Sequence, residues 1–449
     1  MKTLQLLAVA ILFTSVTYAA TAQTTKKNTQ TVSGNLSLKT TMSNTHVLLP
    51  GSKLLQIAID IEASAKAQAQ RLPMNLALVI DRSGSMRGEK MTYTLQAAMH
   101  LVRQLGENDT LSIVSYSDEV RIDLRAQRVS GEVRQDAIAA IERIRAGGST
   151  NLSGGLMQGQ NEVQRYLKSG QVNRVILMSD GLANRGITNT KQLAQKAQQG
   201  AQRGISVTTM GVGIDYNEDL MTSVADHASG NYYFIESAGH IARVFSAELT
   251  KMFSTVAQAT EVTLRLADGI ALQQVYGYAY QRQGDRITIP LAEMFARQKR
   301  SILIGLRVST IREGHAKVAD VRLRYEDVGR DSQQITANVD LAVQITKDKA
   351  LVDAGQDKSV QERIEEIRVA EVMNKAADLL KNGQRIEAQR LLRMQRKKSA
   401  DRAKSLGGSG RISNQVRQLD ALGRAFEARG EASGAMVKKT KAAARKQSR

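Results

Sequence analysis

A chain of 449 residues, 42% of them hydrophobic, suggests about three domains at ~150 residues each and is long enough to bury a full-sized core. Its 63 Lys and Arg against 43 Asp and Glu give +20, and residues 381–449, with 19 basic and 5 acidic residues, carry +14 of it; an anionic partner is therefore sought at that end first. The lack of cysteine excludes disulfides, thiolate nucleophiles and zinc fingers, and 11 Tyr and 6 Phe without Trp are too few for single-stranded nucleic-acid platforms, so no nucleic-acid partner is expected.

Residues 1–22 read as a signal peptide, with Lys2, an apolar run over 4–16, and Ala20-Thr21-Ala22 as a small-residue cleavage site before Gln23. The run falls short of the ~20 residues that span hydrocarbon, and no later segment approaches that length, so no transmembrane helix is expected after cleavage. The protein is expected to be exported, periplasmic or secreted. Residues 23–71 form a β segment: the alternation over 31–63, ending in Leu54, Ile57, Ile59 and Ile61 and broken by Pro50-Gly51, predicts strands. A few isolated strands cannot bury a core, so they are expected to pair with a later sandwich.

Over 72–253 the texture changes. Short apolar runs at 76–80, 111–116, 175–178 and 205–210 alternate with helical periodicity, first in Met91, Leu95, Met99, Val102 and Leu105. This rhythm predicts an α/β unit, a Rossmann-like doubly wound parallel sheet with helices on both faces. Residues 254–349 return to period two, as in Val321-Arg322-Leu323-Arg324-Tyr325, and predict the antiparallel β-sandwich in which the α/β unit is inserted. Residues 350–404 read as a helical hairpin, with the stripe Val360, Ile364, Ile367, Met373, Ala376 and Leu380, a turn at Asn382-Gly383, and a return over 386–394. Gly407-Gly408-Ser409-Gly410 reads as a linker, and 405–449 as a basic tail, helical over 416–428 and disordered after Gly434.

The chemistry concentrates on three loops. Asp81-Arg82-Ser83-Gly84-Ser85 follows the first apolar strand, Gly147-Gly148-Ser149-Thr150-Asn151 precedes a helix, and Ser179-Asp180-Gly181 follows the 175 strand. Carboxylates and hydroxyls gathered this way suit a hard divalent cation, and in a doubly wound sheet such loops converge where the winding reverses. Ser149 beside Thr150 offers a second hydroxyl there. No GK[ST], GxSxG or HExxH motif occurs.

The DxSxS of Asp81, Ser83 and Ser85, with Thr150 and then Asp180 in a Ser-Asp-Gly turn, resembles the metal-ion-dependent adhesion site (MIDAS) of von Willebrand factor type A (VWA) domains. The resemblance is closest to exported bacterial members similar to the domains of inter-alpha-trypsin inhibitor heavy chains and calcium-activated chloride channel proteins. It implies that Ser83, Ser85 and Thr150 coordinate an ion, with Asp81 and Asp180 binding it directly or through water, and that a partner's Asp or Glu carboxylate completes the shell. Two carboxylates with neutral hydroxyls favour Mg²⁺, with Mn²⁺ or Ca²⁺ as alternatives. The expected function is an exported, metal-dependent adhesion or scaffold module and not an enzyme. The alternatives are a metal-dependent hydrolase using the same ion, which would need a base and nucleophile beside it, and a binder of anionic envelope surfaces acting through the basic tail.

Overall fold

The structure, a computed structural model, describes residues 28–65, 71–310, 312–427 and 433–448; the expected leader lies outside the described residues. Among the described residues four strands come first: β1 (Asn28–Ser33), β2 (Leu36–Met42), β3 (His46–Leu48) and β4 (Gly51–Ala63). In β4 the inward set is Leu55, Ile57, Ile59 and Ile61, whereas Leu54 is 53% exposed. The strand alternates one residue later than Leu54 suggests.

The α/β unit follows as β5 (Met74–Asp81), α1 (Glu89–Gln104), β6 (Thr110–Tyr116), β7 (Val120–Arg128), α2 (Gly131–Glu142), α3 (Leu152–Arg165), β8 (Val172–Ser179), α4 (Thr190–Gln202), β9 (Ser206–Val212), α5 (Glu218–His227), β10 (Tyr232–Ile235) and α6 (Ile241–Phe253). Its sheet order is β10-β9-β8-β5-β6-β7, parallel except for the edge strand β7. Helices cover both faces, so every residue of β5 and β8 is buried, which explains their continuous apolar runs. In α1 the buried face is Met91, Thr94, Ala97, Ala98, Leu101 and Val102; Leu95 and Met99 of the expected stripe are only partly buried, so the face turned to the sheet is centred on the two alanines.

Seven strands then run from β11 (Thr255–Leu266) through β12 (Ile270–Tyr276), β13 (Gln281–Gln283), β14 (Arg286–Phe295), β15 (Lys299–Thr310) and β16 (Gly314–Asp327) to β17 (Gln333–Thr346). They join the first four in two sheets, β1-β2-β4-β15-β12 and β13-β14-β11-β16-β17-β3. One core holds Leu38, Ile57 and Ile59 from the first sheet with Val262, Leu264, Val321 and Leu323 from the second. The α/β unit thus interrupts a sandwich whose strands come from both sides of it. The two are tied by Arg174 on β8: its buried guanidinium bonds Glu248 of α6 and Glu293 of β14, each at 2.6 Å. Those charges bring each other's partners and satisfy the guanidinium fork.

Among the described residues five helices follow: α7 (Lys349–Ala354), α8 (Lys358–Lys381), α9 (Arg385–Ser405), α10 (Gly410–Glu427) and α11 (Ser433–Ser448). The α8 stripe is buried as expected, but in α9 the buried residues include Ala388 and Leu392 while Ile386 and Met394 are exposed.

Two expectations for 405–449 are corrected. Gly407 and Gly408, at φ 73° and 80°, make a helix-to-helix turn that no L side chain enters easily, and Ser409 Oγ accepts from Ile412 N at 3.3 Å to cap α10. The segment is a corner, not a linker. Beyond Gly434 the chain is helical, not disordered: Val437 and Ala444 of α11 share a core with Val369, Met373 and Phe426. Its cations meet acidic residues of the α/β unit. Lys438 Nζ donates to Glu218 Oε2 at 2.8 Å and to Tyr216 O at 2.7 Å, Lys441 Nζ reaches Asp219 at 2.5 Å, and Arg445 Nε reaches Asp226 at 2.9 Å. A run of like charge predicts solvation only when the rest of the chain offers no matching surface, and here it does.

Candidate metal site and its relatives

Strands β5 and β8 are neighbours from which the chain winds outward in opposite directions, so their carboxyl ends flank the switch point of the sheet. Asp81 is the last residue of β5, not a loop residue, and is fully buried. Its Oδ1 accepts from Ser83 N and its Oδ2 from Ser179 Oγ, both at 2.8 Å. Asp180, one residue past β8, is equally buried; its Oδ1 accepts from Ser85 Oγ at 2.7 Å, and Ser83 and Ser85 hydroxyls lie 3.1 Å apart. Asp81, Ser83, Ser85 and Asp180 therefore form one connected group.

The Thr150 loop closes on the same place. Gly147 N donates to Arg82 O at 2.7 Å and Gly84 N to Gly148 O at 2.9 Å, stitching the first loop to the second. Gly148 has φ 83° and faces the Asp118 carboxylate so closely that a Cβ would collide with it. Thr150 N donates to Asn184 Oδ1 at 2.8 Å, and a Cβ placed on Gly181 would stand 3.2 Å from Ser85 Oγ and 3.4 Å from Thr150 Oγ1. Those two hydroxyls thus border the same glycine. Ser149 instead hydrogen-bonds Asp118, holding that carboxyl below its ordinary value, so Thr150 is the hydroxyl on the site side.

The electrostatics favour a cation. Burial pushes the Asp81 carboxyl up to about 6, against hydrogen bonds from Ser83 and Ser179, and the charge of Asp180 adds to the rise. Two buried carboxylates in mutual repulsion lack positive charge. Part of it comes from Lys90, near the start of α1, whose Nζ donates to Asp180 Oδ2 at 2.6 Å. Among the described residues no three His, Asp or Glu side chains gather as a metal cage, so an ion here would rely on hydroxyls and water beside the two carboxylates. That donor set suits a small hard cation, and Ser85 is exposed, leaving the group open at one side.

Sequence reasoning missed Lys90, Ser179 and Asn184. Ser179 was already in the Ser-Asp-Gly turn and could have been read as a partner of Asp81 once β5 and β8 were paired. Lys90 and Asn184 carry no local signal, since only the three-dimensional approach of α1 and the Asp180 loop brings them in.

The sequence profile of the von Willebrand factor type A domain matches residues 75–247. Over 341 residues the chain is 27% identical to sll0103 of Synechocystis sp., covering 72% of this chain and 79% of that one. It is 31% identical over 166 residues to inter-alpha-trypsin inhibitor heavy chain H2 of Mus musculus, covering 35% of this chain and 17% of that protein. Among solved structures, a von Willebrand factor type A protein from Catenulispora acidiphila superposes with a TM-score of 0.69 at 15% identity, over 91% of this chain and 94% of that one, so the likeness extends to the flanking sandwich and helices. With its six-stranded doubly wound sheet and this sequence match, the central unit of the chain is a von Willebrand factor type A domain.

Proposed function

We propose that the protein is an exported binding module whose VWA domain holds a divalent ion, Mg²⁺ by preference, at Asp81, Ser83, Ser85, Thr150 and Asp180, and through it captures a carboxylate of a protein partner. One observation carries this reading: oxygen donors from three separate loops meet at the switch point of the sheet around two buried carboxylates. Bound there, the ion would supply a Lewis-acidic position for an incoming carboxylate. The chain's own residues do the rest. Ser83 N and Ser179 fix the Asp81 carboxylate, Lys90 and Ser85 fix that of Asp180, and the Gly148 turn delivers Thr150.

A hydrolase would need a general base free to act beside the ion. The groups that hydrogen-bond the two carboxylates are Ser83, Ser85, Ser179 and Lys90, with no His and no third carboxylate among them, so binding is favoured. Among the described residues no helix is long and apolar enough to cross a membrane. Attraction of the tail to anionic surfaces loses support because Lys438, Lys439, Lys441 and Arg445 are paired with the VWA domain's carboxylates. The test is calorimetric titration with Mg²⁺ alone, then capture from an envelope extract in Mg²⁺ against EDTA. Saturable binding with EDTA-sensitive capture is expected; an absence of Mg²⁺ binding by the folded chain overturns the reading.

A further inference from the structure

Helix α9 has two faces of different character. The inner one is held in place: Ala388 and Leu392 enter the core shared with α8, α10 and α11, and Gln395 Nε2 and Ser399 Oγ both donate to Glu365 Oε1 of α8, at 2.8 and 2.6 Å. Fixing that side fixes what points outward. At roughly 100° per residue, Ile386, Arg390, Arg393, Lys397 and Lys404 fall within an arc of about 60°, with Met394 beside them, in a row ~27 Å long. All six are exposed, Ile386 to 74% and Met394 to 48%.

The cations of this row differ from those of α11. On α11 Lys438, Lys441 and Arg445 meet Glu218, Asp219 and Asp226. Among the described residues Arg390, Arg393, Lys397 and Lys404 have no ion-pair partner, nor does Lys398 at the margin of the row. The acidic residues near them are few or taken. Glu387 and Asp401 of α9 lie toward the Met394 side, and Asp420 of α10 stands 3.5 Å from Arg396 and 3.0 Å from Arg424.

Solvation alone accounts for Lys and Arg on a helix, and one exposed apolar side chain is ordinary. Here the two coincide: among the described residues Ile386 is the most exposed large apolar side chain, and it stands in line with four unmatched cations. A soluble polyanion would match the charges and leave the apolar ends in water. An anionic bilayer matches both, since its phosphates face the cations while its acyl boundary takes up apolar ends, and a straight row on one helix suits a flat partner.

We propose that the outer face of α9 docks on an anionic lipid bilayer, with Arg390, Arg393, Lys397 and Lys404 at the lipid phosphates and the ends of Ile386 and Met394 in the acyl boundary. The contact does not use the basic tail, whose last helix stays bound to the VWA domain.

The test uses the chain from Gln23 onward, so that the apolar run over 4–16 cannot itself enter the bilayer. The probe is vesicles of phosphatidylcholine with about one-third phosphatidylglycerol, with dextran sulfate as the soluble polyanion, all in EDTA so that the outcome is independent of the metal site. Vesicle binding is expected at ~0.1 M salt and should fade at ~0.5 M. Each Lys or Arg at such a surface contributes roughly fivefold, so Arg390→Gln, Arg393→Gln, Lys397→Gln and Lys404→Gln together should weaken it ~100-fold or more. A control with the same change of charge, Lys53→Gln, Lys191→Gln, Arg243→Gln and Arg282→Gln, removes cations that are exposed on four other elements and should weaken it less than ~10-fold. Ile386→Ser with Met394→Ser should weaken vesicle binding about tenfold and leave dextran sulfate binding unchanged. Since every changed residue is exposed, the thermal unfolding midpoint should not move. The proposal is overturned if the wild-type chain does not bind the vesicles, or if the α9 charge variant binds them as well as the control does. It is equally overturned if the Ile386 and Met394 variant binds vesicles as wild type does, which would make the row a site for soluble polyanions.

Discussion

The two most strongly charged regions of this molecule settle their charge in different ways. On α11 the cations find their counterparts inside the chain: Lys438 with Glu218, Lys441 with Asp219 and Asp378, Arg445 with Asp226, Lys439 with Glu236. At the loops after β5 and β8 two carboxylates are buried together, and apart from one lysine their partners are neutral hydroxyls and a backbone amide. The first arrangement is nearly self-sufficient and acts as a strap; the second is short of positive charge and is open to solvent at Ser85. Charge density alone does not separate these cases. What separates them is whether the neutralising partners belong to the same chain.

The largest expected effect tests the deficient region. Asp180→Ala and Asp81→Asn should each lower Mg²⁺ affinity by at least ~100-fold, since even outer-shell partners of metal sites contribute 10–100-fold. Ile176→Ala, in the buried core of β8, should do the reverse, costing ~2–5 kcal/mol of stability while the ion still binds. Calorimetry beside thermal unfolding measures both; undiminished affinity in the two Asp variants would falsify the ligand assignment.

The self-sufficient region is tested by taking away one partner. Lys438 and Glu218 are both almost fully buried, and removing Lys438 takes from Glu218 its nearest cation and leaves only Lys381 and Lys441 at 3.5 Å, a loss that falls below the ~3–5 kcal/mol of a buried pair broken outright. Lys438→Met is therefore expected to release α11 and not to unfold the VWA domain. Because the chain has no cysteine, a nitroxide on Ala443→Cys reports the helix alone, and its spectrum should turn mobile. An unchanged spectrum would show that apolar packing of Val437 and Ala444 holds the helix without the pair.

The pH response follows from the same pair. Burial on its own would raise the Glu218 carboxyl, but the hydrogen bond and charge of Lys438, with Lys381 nearby, bring it down to about 2 from 4.5. Burial also lowers the Lys438 ammonium, so part of the attraction goes to desolvating the amine; with Lys381 and Lys441 each 3.5 Å from Glu218 the carboxylate stays ionised. A folded value below the ordinary one contributes stability that is full above pH 4.5 and fades toward pH 2. The nitroxide on α11 should stay immobile at pH 6 and loosen between about 4.5 and 2. Loosening already at pH 6 to 7 would assign the contact to another group.

These differences also explain what the sequence could disclose. The sheet was legible because full burial makes β5 and β8 continuous apolar runs, and the candidate ligands were legible because Asp81, Ser83 and Ser85 crowd onto one turn. The pairing of early strands with late ones followed from the need of β4 for a covered face. The docking of α11 was not legible: a helix rich in Lys and Ala reads as solvated until Glu218, Asp219 and Asp226, some 220 residues earlier, are seen to share one surface. The exposed Ile386 and the inward Ala388 escaped for a related reason, since which face of α9 is covered depends on α8 and α10. Long-range complementarity leaves no periodicity in the local sequence.

Lys90 links the two regimes, because among the described residues it is the one cation that reaches the deficient carboxylates. It is 27% exposed at the side chain and bonded to Asp180 Oδ2, so a divalent ion approaching that carboxylate competes with an ammonium already there. Lys90→Met keeps most of the stem that packs beside Gly213, whose added Cβ would meet the lysine's Cε and Nζ at 3.5 Å, and removes only the charge. A partly exposed pair of this kind contributes on the order of 1 kcal/mol, so Mg²⁺ affinity should rise by ~3–10-fold, and the unfolding temperature of the metal-free protein should fall slightly as Asp81 and Asp180 are left with less positive charge. If affinity drops instead, Lys90 supports the geometry that the ion requires. The contrast between the two charged regions would then be one of degree, with the ion site, like α11, built around a fixed internal pair.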